Sequence, residues 1–142
     1  MREPKFHVMS RKNMPVKATG YHKPNTNDIY LDRKRYSQTD KLHEIYHFKK
    51  NHPDKPRDVN VFIDHEIEAE LYGQRNNRIS STYGLFNGWV DEIYALYKIN
   101  NGSAIIMIGK RLKRYSVPEQ WEKSYRKVVS DVYTAMRKTK RF

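Results

Sequence analysis

Apolar residues along this chain gather in short clusters whose spacing changes from segment to segment. In "NTNDIYLDRKRYSQTD" a polar turn leads into Ile29, Tyr30 and Leu31, an apolar run held between Asp28 and Asp32. So short a run, bounded by turn-forming residues, predicts a strand. Leu42, Ile45 and Phe48 then recur at helical spacing, with Ser37 or Thr39 ahead of them able to cap. That predicts a helix from about Asp40 to Lys50. "NHPDKPRD" at 51–58 holds two prolines and predicts a loop. Over 59–77, Val61, Phe62 or Ile63, Ile67 and Leu71 supply an apolar stripe among acids, which predicts a second helix.

The second half is richer in apolar residues. "YGLFNG" at 83–88 predicts a turn, and 89–102 a helix closed by Gly102. "SAIIMIG" at 103–109 fits a strand or a buried helix equally. "SVPE" at 116–119 predicts a helix start, with Ser116 as cap and Pro118 early. Trp121, Tyr125, Val128, Val129, Val132 and Met136 then recur on one face of a long last helix, a stripe that reads as core. A strand followed by helices, with no internal repeat, gives an α+β class.

The length of 142 residues fits a single domain, 1–142, with a modest core. Its aromatic content, with 11 Tyr, 5 Phe and 2 Trp, exceeds that of disordered chains. There is no cysteine, so disulfides, thiolate metal sites and a cysteine nucleophile are excluded. The opening "MREPKFHVMSRKNMPVKATG" lacks the apolar run of a signal peptide, and no segment is apolar enough to span a membrane. A cytoplasmic protein is expected, with the basic amphipathic C-terminus leaving membrane-surface contact open.

Charge is unevenly placed. The net +12 arises as +6 over residues 1–36, −2 over 37–75 and +8 over 76–142. The acidic middle coincides with "KLHEIYHFKKNHP", which contains His43-Glu44-Ile45-Tyr46-His47, a match to H-E-x-x-H. Residues four apart share a helix face, so His43 and His47 can hold one Zn²⁺. Glu44 beside them can take a proton from a metal-bound water. By chance alone the pattern arises in about one such sequence in seventy, so context must carry it. Here the motif lies on a capped helix, after a strand and before a helix rich in carboxylates.

A catalytic zinc takes three protein ligands and keeps a fourth position open. His52 is the nearest further histidine, but Lys50 and Pro53 stand where the metzincin pattern needs Gly and His. A carboxylate of "DHEIEAELYG" is the better candidate, with Glu66, Glu68 and Glu70 all open on spacing alone. His65 can support a ligand or lie on the surface. Asp64 and Glu70 also read as charges that solvate the helix. His7 and His22 sit in basic, loop-like sequence and are poor ligand candidates. Tyr83, Tyr94 and Tyr97 can serve an oxyanion, though core packing is the simpler role.

"DIYLD", "HEIYH" and the stretch Glu66-Ile67-Glu68-Ala69-Glu70-Leu71-Tyr72-Gly73 resemble the ImmA/IrrE-like metallopeptidases, small gluzincin-type domains. The resemblance covers about residues 27–75. It departs from the family's pattern at Tyr46, where the family commonly has Gly, and after Gly73, where "QRNNRISSTYG" replaces a Leu-Leu-Met-Pro-like stretch. It implies a small zincin-like fold, a short sheet packed on the H-E-x-x-H helix, followed by a basic, mainly helical part over 76–142. It also implies zinc held by His43, His47 and Glu66, Glu44 as general base, and a protein substrate. Glu68, Glu70 and His65 remain as alternative or supporting groups.

"LDRKRYS", "GKRLKRYS" and "KSYRKVV" each set tyrosine beside clustered cations, and "RKTKRF" ends the chain. Cations for phosphates and rings for bases suit nucleic acid, or a protein bound to it; the plainer reading is a solvated helix face over packed tyrosines. Two function classes follow. The first is a zinc-dependent endopeptidase acting on a protein, such as a DNA-bound regulator. The second is a non-enzymatic basic protein that binds nucleic acid or an acidic partner, such as a mobile-element inhibitor of a host factor.

Overall fold

The computed structural model describes residues 3–74 and 83–139. Over these residues the fold is mixed α+β, with a three-stranded sheet and five α-helices. The described residues group into two compact units: one takes in residues up to Pro56 together with His65–Gln74, the other Arg57–Asp64 together with 83–139. The changeover falls inside a helix, not at the shift in charge near residue 76.

In the first unit, β1 (Lys5–Met9), β2 (Gly20–His22) and β3 (Asp28–Asp32) form a sheet in the order β1-β3-β2. The central β3 pairs parallel with β1, Phe6 opposite Ile29 and Val8 opposite Leu31, and antiparallel with β2, Tyr21 opposite Tyr30. β3 is the strand its apolar run predicts. β1 and β2 are not legible locally, because each becomes a strand only by pairing with β3. His7 and His22 therefore stand on strands rather than in loops. Side chains alternate along β3, so Ile29 and Leu31 face one way and are fully buried with Phe48, Ile45 packing against them. Tyr30 lies on the other face in a row with His7 and Tyr21, ring centroids 4.9 and 6.4 Å away.

Phe48 and Ile45 belong to α1 (Gln38–Lys50). A capping box starts it: the Asp40 amide donates to Ser37 Oγ at 3.1 Å and the Ser37 amide to Asp40 Oδ2 at 2.8 Å. Asn51, in the left-handed region at φ 50°, ends it. α2 (Val59–Gln74) follows the proline loop, and its first six residues belong to the second unit.

The second unit contains α3 (Tyr83–Tyr97), α4 (Asn101–Leu112) and α5 (Glu119–Thr139). The turn expected at 83–88 is instead the start of α3. Glycine costs about 1 kcal/mol in a helix, but Phe86, Trp89, Val90 and Ile93 form a buried stripe that outweighs it. Gly102 does not close a helix either. α3 stops before Lys98, at φ 57°, and Asn100 caps α4 by accepting from the Ser103 amide at 2.8 Å. Gly102 lies inside α4 against Met136, where a Cβ would come within 2.9 Å of the sulfur. The segment 103–109 resolves as helix, with Ala104, Ile105 and Ile108 fully buried. Ser116 does not cap α5, which begins at Glu119; the Trp121 amide donates to the Pro118 carbonyl instead. Trp121 and Val128 are fully buried on the predicted stripe of α5, and Phe86 meets Trp121 edge to face at 5.9 Å. Among the described residues no helix is long and apolar enough to cross a membrane.

Candidate metal centre

α1 places His43, Glu44 and His47 along the side of the helix that meets the C-terminal part of α2 and strand β2. Gly73 permits the first approach: a Cβ there would lie 2.7 Å from the Thr39 carbonyl oxygen and 3.3 Å from the His43 amide. Gly20 permits the second, since its Cβ would lie 3.0 Å from Glu44 Cγ.

Three ligand-type groups converge. The Nε2 atoms of His43 and His47 are 2.9 Å apart, His43 Nε2 is 3.1 Å from Glu66 Oε2, and His47 Nε2 is 3.4 Å from Glu66 Oε1. Side-chain exposures of 10, 12 and 15% remove most competing water. Bonds of about 2.1 Å at tetrahedral angles set ligand atoms about 3.4 Å apart, so the three can hold one metal ion. Histidine and carboxylate donors without sulfur suit zinc and other divalent transition metals.

The far side of each ring is committed. His43 Nδ1–H donates to Glu70 Oε1 at 2.8 Å, and His47 Nδ1 lies 2.9 Å from His52 Nδ1. Burial first, then the nearby histidines, lower the His52 pKa to about 3, which keeps it a neutral acceptor. With both Nδ1 atoms directed outward, both Nε2 atoms face Glu66, where each can bind a metal once it carries no proton.

Glu44 is not among the three converging groups. Its Oε1 accepts from the His22 amide at 3.1 Å, and its Oε2 lies 3.9 Å from His43 Nε2. Burial raises its pKa despite the opposing pull of His43 and His47. In the metal-free site, burial also works against charge on His43, yet Glu66 and Glu70 hold its pKa well above the usual histidine value. Burial would raise Glu66, but His47 and His43 hold it well below the usual carboxylate range.

Of the three carboxylates open on spacing, the fold brings only Glu66 to the two Nε2 atoms. Glu68 accepts from Tyr46 Oη at 2.9 Å, a phenol whose pKa is pushed up to about 12 by burial and by that bond. Glu70 is not a solvating charge; it is buried and orients His43. Asp64 is no solvating charge either, since it receives Arg111 Nε at 2.9 Å. His65 stacks on His52 at 3.6 Å, ring planes 6° apart, and so backs the group that orients His47. His22 Nε2 lies 2.8 Å from the Thr26 carbonyl oxygen, and His7 Nε2 2.9 Å from Asp28 Oδ1. Tyr94 is 56% exposed, Tyr97 packs edge-on against Phe62, and the Tyr83 side chain lies outside the described residues. The orienting role of His52 had one sequence signal: it follows His47 by five residues, past a left-handed turn at Asn51.

Compared with protein-family profiles, curated proteins and solved structures, the chain matches none.

Proposed function

We propose that this protein is a zinc-dependent endopeptidase of zincin-like architecture, resembling the ImmA/IrrE-like group, which acts on a protein substrate in the cytoplasm. The observation that carries the reading is the convergence of two imidazole nitrogens and one carboxylate, with a second carboxyl group, that of Glu44, beside them and outside the group. His43, His47 and Glu66 hold the ion. Zinc, when bound, acidifies a water and polarises the scissile carbonyl. Glu44 Oε2 faces the ligand cluster and accepts the proton of the attacking water. The His22 amide fixes the other carboxylate oxygen, so the basic atom does not rotate away. Burial raises Glu44 towards the range in which a carboxylate accepts a proton and passes it to the leaving amine nitrogen. Cationic segments outside this site further support contact with nucleic acid or with a nucleic-acid-bound protein.

Glu44→Gln keeps the amide contact and removes the base. It should retain about one zinc per chain by mass spectrometry and lose about 10²–10⁴-fold in peptide hydrolysis. Wild-type hydrolysis by that variant would refute the assigned role. Absence of metal from the wild type after zinc addition would refute the zinc reading.

A further inference from the structure

Helix α5 presents an exposed face dense in cations. Between Lys123 and Lys138 its exposed positions are five cations (Lys123, Arg126, Lys127, Arg137 and Lys138), two hydroxyls (Ser130 and Thr134) and Ala135, with no acid. Surface helices ordinarily intersperse both signs, because like charges three or four residues apart repel. The acids of α5 flank this stretch: exposed Glu119 and Glu122 precede it in the first turn, Glu119 3.9 Å from Lys123, and half-buried Asp131 lies 3.7 Å from Lys127 at its margin. At 1.5 Å per residue the cationic face runs about 22 Å along the helix.

Three observations narrow the partner. The apolar side of α5 is spent on its own unit, with Trp121 and Val128 fully buried and Val132 8% exposed, so no apolar face remains to enter a bilayer. Tyr125 points inward, its hydroxyl donating to the Ile105 carbonyl at 2.8 Å and its ring 6.0 Å from Phe86. Tyr133 is half-buried. The cationic face thus has one half-buried ring beside it, Tyr133, where single-strand binders stack successive bases on several. What it offers is a rod of positive charge with hydroxyl donors, and the major groove of B-form DNA, about 12 Å wide, admits an α-helix. Double-stranded RNA has a major groove too narrow for it.

We propose that the outward face of α5, through Lys123, Arg126, Lys127, Arg137 and Lys138, docks on the phosphates of duplex DNA. Binding is independent of the metal centre and is not selective for sequence.

The test is fluorescence anisotropy of the whole protein with a labelled 20-bp DNA duplex, from about 50 to 300 mM KCl, in EDTA. Four or five phosphate contacts give a slope of log affinity against log salt of about −4. The triple variant Lys123→Gln/Arg126→Gln/Lys127→Gln should weaken binding at least tenfold at 100 mM KCl and flatten the slope by two to three. Arg33→Gln/Lys34→Gln/Arg35→Gln, in the other unit, should stay within twofold of wild type. Circular dichroism checks that both variants fold. No binding at 100 mM KCl would overturn the proposal. So would equal losses in the two variants, or tighter binding to single-stranded DNA, duplex RNA, polyglutamate or phosphatidylglycerol vesicles.

Discussion

The two units use opposite means to order their interiors. The second is held by apolar contact: Phe86, Trp89, Ile93, Ile105, Ile108, Trp121 and Val128 are at most 3% exposed, and its charges lie outside or pair, as Arg111 does with Asp64. The first has a small apolar centre in Ile29, Leu31 and Phe48, and beside it a buried polar cluster of His43, Glu44 and Glu70. Burying such groups is unfavourable unless each finds a partner. Here Glu70 takes His43, the His22 amide takes Glu44, and Glu66 meets both Nε2 atoms. Stability in the first unit is thus tied to the protonation of its buried polar groups, and in the second to packed volume.

Single substitutions separate the two most sharply. His47→Ala should reduce zinc from about one per chain to none, with a modest change in metal-free stability. Trp121→Ala should cost about 3–5 kcal/mol in urea unfolding through the cavity it leaves, with zinc stoichiometry unchanged where the chain is folded. Zinc loss in the Trp121 variant under folding conditions would show that the distinction between the units is false.

pH provides the next separation. In EDTA the raised pKa of His43 means that its contribution is fully present below its ordinary value of 6.5 and fades as pH rises through the raised one. Glu66, lowered from 4.5, contributes above its ordinary value and loses that contribution as pH falls. The metal-free pair is therefore strongest between those limits. Zinc must displace the proton on His43, so zinc stabilisation grows with pH. The Tm gap between zinc-loaded and EDTA-treated protein should widen from about pH 6 to 8.5. A gap that narrows would mean that His43 is not protonated in the metal-free site.

The same contrast accounts for what could be read in advance. α1, a cap at Ser37 or Thr39, and β3 are legible because their signals are local: a capping box and a run of three apolar residues; the structure puts the cap at Ser37. The core stripe of α5 is legible too. β1 and β2 are not, since their strand character comes from pairing with β3 across intervening loops. At the start of α3 two glycines suggest a turn, but a buried aromatic stripe imposes a helix. In the site, the spacing of H-E-x-x-H placed both histidines, but no spacing rule could choose among Glu66, Glu68 and Glu70. That choice is made where Gly73 lets α2 lie against Thr39, a contact between residues 34 apart in sequence.

The smallest predicted effect concerns what orients the two histidines. His43 leans on a carboxylate and His47 on a neutral imidazole, and the carboxylate is the stronger acceptor for an N–H. Glu70→Gln should therefore loosen zinc more than His52→Phe, both within about 10–100-fold in chelator competition. Phenylalanine keeps a ring against His65 and removes only the acceptor; His52→Asn, whose side-chain carbonyl can accept the His47 proton, should recover part of the loss. Nitrogen-15 NMR of the zinc-loaded His52→Phe protein should show weakened hydrogen bonding at His47 Nδ1 and none at His43. Unchanged affinity and an unchanged His47 signal would mean that His52 packs beside the ligand without holding it, and that the His47 ring is set by α1 alone.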